Sequence, residues 1–119
     1  MTAIARLHAT VLECPDPRAL AEFYQRLTGW RILDAGDEWV TIGDGGPARL
    51  AFQRAPGHVA PTWPDDASSM QYHLDFEVDD LDAAEEQTLR AGATKFEYQP
   101  GTSFRVYADP AGHPFCLCA

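Results

Sequence analysis

Apolar and polar positions along the chain change period repeatedly, and each change marks an element. Arg6 to Cys14 (RLHATVLEC) alternates at period two, which predicts a strand, and Pro15-Asp16-Pro17 closes it. Asp16 is the expected N-cap and Pro17 the first helical residue, where a missing N–H is harmless. Leu20, Phe23, Tyr24 and Leu27 then recur at helical spacing until Gly29, so a helix is predicted over Pro17 to Thr28. Trp30 to Leu33, Glu38 to Ile42 and Arg49 to Gln53 follow as three short strands. Ala35-Gly36-Asp37 and the stretch from Gly43 to Pro47 separate them with residues suited to tight turns.

Arg54 to Ser69 (RAPGHVAPTWPDDASS) is polar and rich in proline, and it reads as a linker. The pattern then restarts. Gln71 to Val78 is a predicted strand, and Asp79-Asp80 caps a helix over Leu81 to Arg90 that Gly92 ends. Lys95 to Tyr98, Phe104 to Ala108 and Pro114 to Cys118 are the last strands, divided by Gly101 and by the turn Asp109-Pro110-Ala111-Gly112. Asp80 repeats Asp16, Val78 repeats Cys14 and Glu77 repeats Glu13, an internal duplication with a period of about 64 residues. The expected class is therefore α+β, with two tandem βαβββ modules forming a cupped, mixed or antiparallel sheet and helices outside. Module one covers about 4–54, the linker about 55–70 and module two about 71–119, within a single domain over 1–119.

Length and charge narrow the partners. A chain of 119 residues, 45% hydrophobic, can bury one sizeable core. Its formal net charge of -9 repels phosphate backbones and anionic lipid, so neither nucleic acid nor a membrane is expected as a partner. The first residues carry neither a basic leader nor a long apolar run, which predicts a cytoplasmic protein. The three cysteines suit that compartment: Cys116 and Cys118 sit two apart in a strand, and no disulfide framework or C-x-x-C knuckle is visible.

The duplicated order, together with CPDPRALAEFYQRLTGW, HLDFEVDDLDAAEEQTLRAGA and the ending YADPAGHPFCLC, resembles the vicinal oxygen chelate superfamily, which includes glyoxalases, bleomycin resistance proteins and ring-cleaving dioxygenases. The stretch from Phe52 through PTWPDD to HLDF is similar to its glyoxalase-like branch. That resemblance implies a cleft for a small molecule and, in metal-dependent members, His and Glu ligands aimed from the first and last strand of each module. Matching those positions one by one gives His73, which stands seven residues before Asp80. The corresponding place before Asp16 is Ala9, with His8 one residue out of phase. The closing strands offer Gln53 and Cys116 where the family usually has carboxylates.

One convincing ligand out of four falls short of the roughly three that a catalytic ion needs. No conventional metal centre and no cofactor are therefore expected. A divalent ion, if one binds, would use His73 and Cys116. The site expected instead is a ligand cleft formed by His73, Gln53, Trp39, Asp75, Arg105, Tyr107 and Cys116, with Trp63, Tyr72, Phe104 and Gln71 as further candidates. Asp75 and Glu77 share the face of His73 at strand period two, whereas Leu74, Phe76 and Val78 point to a helix-packed core. Two functions follow. One is capture of a small aromatic or amphipathic molecule without a conventional metal centre. The other is a metal-dependent lyase or dioxygenase using His73 with an atypical ligand set. Whether the chain is an enzyme is left open, and a homodimer is the expected assembly.

Overall fold

A computed structural model describes residues 3–65, Met70 and 72–119. The predicted linker residues 66–69 and the candidate Gln71 lie outside the described residues. The chain divides into two compact units, Met1–His58 and Val59–Ala119, each an α+β module with one helix and one four-stranded mixed sheet.

In the first unit the order is β1 (Thr10–Cys14), α1 (Pro17–Thr28), β2 (Arg31–Ala35), β3 (Trp39–Gly43) and β4 (Arg49–Arg54). The sheet runs β1-β4-β3-β2, with β1 parallel to β4 and the other pairs antiparallel. Asp16 caps α1 by accepting from the Ala19 N–H, and Pro17 opens the helix as predicted. Gly29 closes it at φ 75°, a left-handed conformation that disfavours any residue with a Cβ. Tyr24 of α1 stacks on Phe52 of β4 with ring centroids 5.5 Å apart, and both are fully buried. That contact fixes the strand phase. Phe52, Val40 and Leu12 occupy neighbouring register positions on the helix side, which puts Gln53, Ala51 and Trp39 on the other face.

The second unit repeats the order with β5 (Leu74–Glu77), α2 (Leu81–Ala91), β6 (Thr94–Lys95), β7 (Phe104–Ala108) and β8 (Pro114–Cys118), and its sheet runs β5-β8-β7-β6. Asp80 caps α2 by accepting from the N–H groups of Asp82 and Ala83. Phe115 lies at the centre of the core. It meets Phe76 edge to face at 6.0 Å and Tyr107 in a stack at 5.7 Å.

Several strands are shorter than the alternation predicts. Residues 3–8 are exposed, and the described residues before Thr10 lie outside the ladder, so β1 begins four residues later than Arg6. The strand expected over Gln71 to Val78 contracts to Leu74–Glu77. The strand expected over Lys95 to Tyr98 is the two-residue β6 instead, for a local reason. The Gln99 side chain donates to the carbonyls of Phe96 and Val106 and accepts from the Val106 N–H, all at 2.8–2.9 Å, so past the backbone bond from the Phe96 N–H to the Val106 carbonyl an amide side chain takes the Val106 N–H where backbone was expected. Phe96 is free to meet Trp63 edge to face at 4.9 Å.

Because Phe115 joins two aromatic contacts in a solvent-free core, Phe115→Ala is expected to destabilise the protein by about 3–5 kcal/mol. Urea unfolding followed by far-UV circular dichroism measures this, and a loss below about 1 kcal/mol would contradict the packing described.

Candidate functional site

With Phe76, Phe115 and Tyr107 turned to the helix, strand alternation sends their neighbours to the opposite face of the second sheet. Asp75 is the register partner of Cys116, and Cys116 in turn pairs with Val106, so these three lie side by side across β5, β8 and β7. Glu77, Cys118 and Phe104 form the next row. His73 immediately precedes β5 and reaches Asp75, with Nε2 3.2 Å from Oδ1. The donor atoms of His73, Asp75 and Cys116 all lie within 4.8 Å of one another.

Beside this polar corner is a cavity of about 380 Å³ whose walls are largely apolar, including Trp63, Met70, Phe104 and Val106. Its volume is in the range of small-molecule sites. No Lys or Arg lines it among the described residues. The corner is graded in exposure: the side chains of His73 and Asp75 are 39% and 60% exposed, while Cys116 is 4% exposed. Burial pushes the Cys116 thiol up to about 12, and the adjacent Asp75 carboxylate opposes thiolate formation further. Burial also raises the Cys118 thiol. At neutral pH both sulfurs are protonated thiols, which removes the basis for a nucleophilic cysteine.

The structure brings together His73, Asp75 and Cys116 of the sequence-predicted set, with Trp63 and Phe104 on the cavity wall. It does not bring Arg105 and Tyr107 to them. Both have the parity of Leu117 and Phe115, their register partners, and so point to the helix side. Arg105 pairs with Asp82 of α2 at 2.7 Å, and the Tyr107 hydroxyl donates to Glu85 of α2 at 2.8 Å. Glu85 also holds Lys95 at 2.8 Å, the leading cause of its lowered pKa, and desolvation pushes the Tyr107 pKa up. These residues fasten α2 to its sheet.

Tyr72, expected in the cleft, is 91% exposed. Trp39 and Gln53 are register partners in the first unit, on the face away from Phe52, where the Trp39 indole N–H donates to Thr41 at 2.9 Å. His8 lies in the exposed segment before β1. His113 is held by the buried Asp109 carboxylate at 2.9 Å, and that carboxylate also accepts from the backbone N–H groups of Ala111 and His113, so the pair is built into the β7–β8 turn. Sequence reasoning missed Val106, Cys118 and Met70. Val106 and Cys118 were within reach of the period-two rule, being two residues from Phe104 and Cys116, whereas nothing in the pattern singles out Met70.

Fold and site together define a duplicated βαβββ protein with a cavity against the sheet of its second unit. Residues 9–118 match the family described as a glyoxalase-like domain, and the chain belongs to that family. Solved structures agree on the fold. The chain is similar to a glyoxalase/bleomycin resistance protein/dioxygenase family enzyme from Burkholderia phytofirmans PsJN, at 19% identity and a TM-score of 0.74 over 95% of this chain and 97% of that one. A glyoxalase family protein from Enterococcus faecalis aligns at 16% identity and a TM-score of 0.70, covering 98% of each chain. The fosfomycin resistance protein FosX from Mesorhizobium loti aligns at 18% identity and a TM-score of 0.70, over 98% of this chain and 92% of that one. At these identities the likeness is one of fold. None of the curated protein sequences compared with the chain matches it significantly.

The protonated state of Cys116 is open to direct test. Asp75→Asn removes the charge that opposes the thiolate while burial remains, so the Cys116 pKa falls from about 12 towards its ordinary value. At any pH below both values the thiolate fraction therefore rises. Alkylation of Cys116 by iodoacetamide, followed by peptide mass spectrometry at pH 8, is expected to accelerate several-fold in the variant. An unchanged or slower rate would place Asp75 away from the sulfur.

Proposed function

We propose that this protein binds a small aromatic or amphipathic molecule in the cleft of its second unit, without the metal centre conventional in its family. One observation carries the reading: an apolar wall of Trp63, Met70, Phe104 and Val106 stands next to a polar corner of His73, Asp75 and Cys116. Apolar surface removed from water supplies the affinity, and a few convergent polar groups orient the ligand. The Trp63 ring, also packed against Phe96 and Tyr98, offers a flat face that loses little entropy on binding. His73 and Asp75 present an imidazole and an acceptor carboxylate to a hydroxyl or amine. Against the conventional centre stand the residues themselves, Cys116 and Gln53 where the family resemblance calls for carboxylates and Ala9 where it calls for histidine.

The reading includes a homodimer in the cytoplasm. Its support is the exposed apolar surface of Ile4, Leu7, Val59 and Tyr72, each at least 84% exposed, and an edge strand β5 paired only with β8 among the described residues. Among those residues no helix is long and apolar enough to cross a membrane. Light scattering is expected to give twice the chain mass of 13.1 kDa, and a value at the single-chain mass would remove the dimer.

N-phenyl-1-naphthylamine, an uncharged aromatic amine that fluoresces in apolar surroundings, tests the cleft. In excess EDTA it is expected to bind saturably and one to one. Trp63→Ala should weaken it by at least about tenfold, about 1.4 kcal/mol of lost contact. Absence of saturable binding, or affinity unchanged in Trp63→Ala, would contradict the reading.

A further inference from the structure

We infer that the ligand of the second unit's cleft is an organic cation, an aromatic or amphipathic molecule that presents one protonated amine to the Asp75 carboxylate. This rests on the cleft proposed above and adds the charge of its occupant.

Asp75 is a charged acceptor held by neutral donors. His73 Nε2 lies 3.2 Å from its Oδ1, and the protonated Cys116 thiol is hydrogen-bonded to the same carboxylate. An uncharged imidazole and a thiol fix the carboxylate without cancelling its charge. A carboxylate has about four lone-pair sites, so these contacts leave room for an ammonium N–H. The Asp75 side chain is also exposed, open to a ligand that enters the cavity it lines.

Nothing in the cavity wall answers that charge. Among the described residues that line it, Asp75 has the one carboxylate side chain and none is Lys or Arg. Arg105 and Lys95 of the same sheet are paired with Asp82 and Glu85 on the helix side. Glu77, the register partner of Cys118, adds a second carboxylate one row further along the open face. The field of both carboxylates is felt at the cavity wall: after burial, which is the larger cause, the charges of Asp75 and Glu77 hold the Cys118 thiol above its usual range. An ammonium leaving water for this site is compensated by the carboxylate and by the aromatic rings of Trp63 and Phe104, whose faces attract a cation. A hydroxyl in its place bonds less strongly, since hydrogen bonds between ionised groups are roughly twice as strong as neutral ones. A carboxylate in its place meets like charge.

Isothermal titration calorimetry of the full chain in excess EDTA tests this with three naphthalenes that differ in one substituent: cationic 1-naphthylmethylamine, neutral 1-naphthalenemethanol and anionic 1-naphthoate. At pH 8, above the ordinary charging range of imidazole, the amine is expected to bind at least about tenfold tighter than the alcohol, and the naphthoate more weakly than both. Raising the salt from about 0.05 to 0.5 M is expected to narrow the ratio of amine to alcohol affinity by screening the charge. Asp75→Asn keeps the shape of the side chain and removes its charge, so it should bring amine and alcohol to within about threefold of each other. Alcohol binding in that variant reports a folded cleft, and if the variant does not fold, the salt dependence of the unaltered protein decides the matter. An amine no tighter than the alcohol, a ratio that salt leaves unchanged, or a preference that survives in Asp75→Asn would overturn the inference. Equal affinity for all three naphthalenes would do so while leaving the proposed cleft standing; no saturable binding of any of them or of N-phenyl-1-naphthylamine would remove both.

Discussion

Both units depend on aromatic side chains that lock the phase of their strands against a helix. Tyr24 stacked on Phe52 does this in the first unit, and Phe115 with Phe76 and Tyr107 does it in the second. A strand slipped by one residue would turn the ring it carries, Phe52, Phe76, Tyr107 or Phe115, towards water, a loss of about 2 kcal/mol or more for each. The same slip in β5 would send Asp75 into the core, and in β8 Cys116. The chemistry of the open face is therefore a consequence of hydrophobic packing on the hidden one.

This coupling explains what was readable in the chain. The helix caps Asp16 and Asp80, the stops Gly29 and Gly92 and the duplicated order all depend on local rules, and the structure carries each of them. His73 and Cys116 were reachable by matching positions to the family resemblance, and Asp75 by counting two along the strand from His73. Arg105 and Tyr107 were misplaced by neglect of that same rule. Tyr107 and Phe104 are three residues apart in one strand and cannot share a face, and the ring that stacks on Phe115 is the one that leaves the cleft. The extents of β1, β5 and β6 were not legible, because they depend on partners. Gln99 ends β6 early by using a side-chain amide in place of a backbone, and no periodicity encodes that.

Family membership and site chemistry constrain function differently. A fold can carry unrelated activities, so membership in the family does not name a reaction. The residues say more. A neutral buried thiol beside a carboxylate argues against nucleophilic catalysis, while an apolar wall with one polar corner favours recognition of a molecule that has both characters. The ion pairs of Arg105, Lys95 and Glu85 lie on the helix side, and among the described residues no Lys or Arg lines the cavity to draw an anion.

The central claim is that one face of the second sheet receives the ligand and the other is sealed by α2. Intermolecular nuclear Overhauser effects between bound N-phenyl-1-naphthylamine and methyl-labelled protein test it most directly, because Val106 and Leu117 sit on opposite faces of adjacent strands. Cross-peaks from the ligand to the Val106 and Met70 methyls, with none to Leu117, are the predicted result. Cross-peaks to Leu117 in place of Val106 would contradict the strand phase on which the site depends.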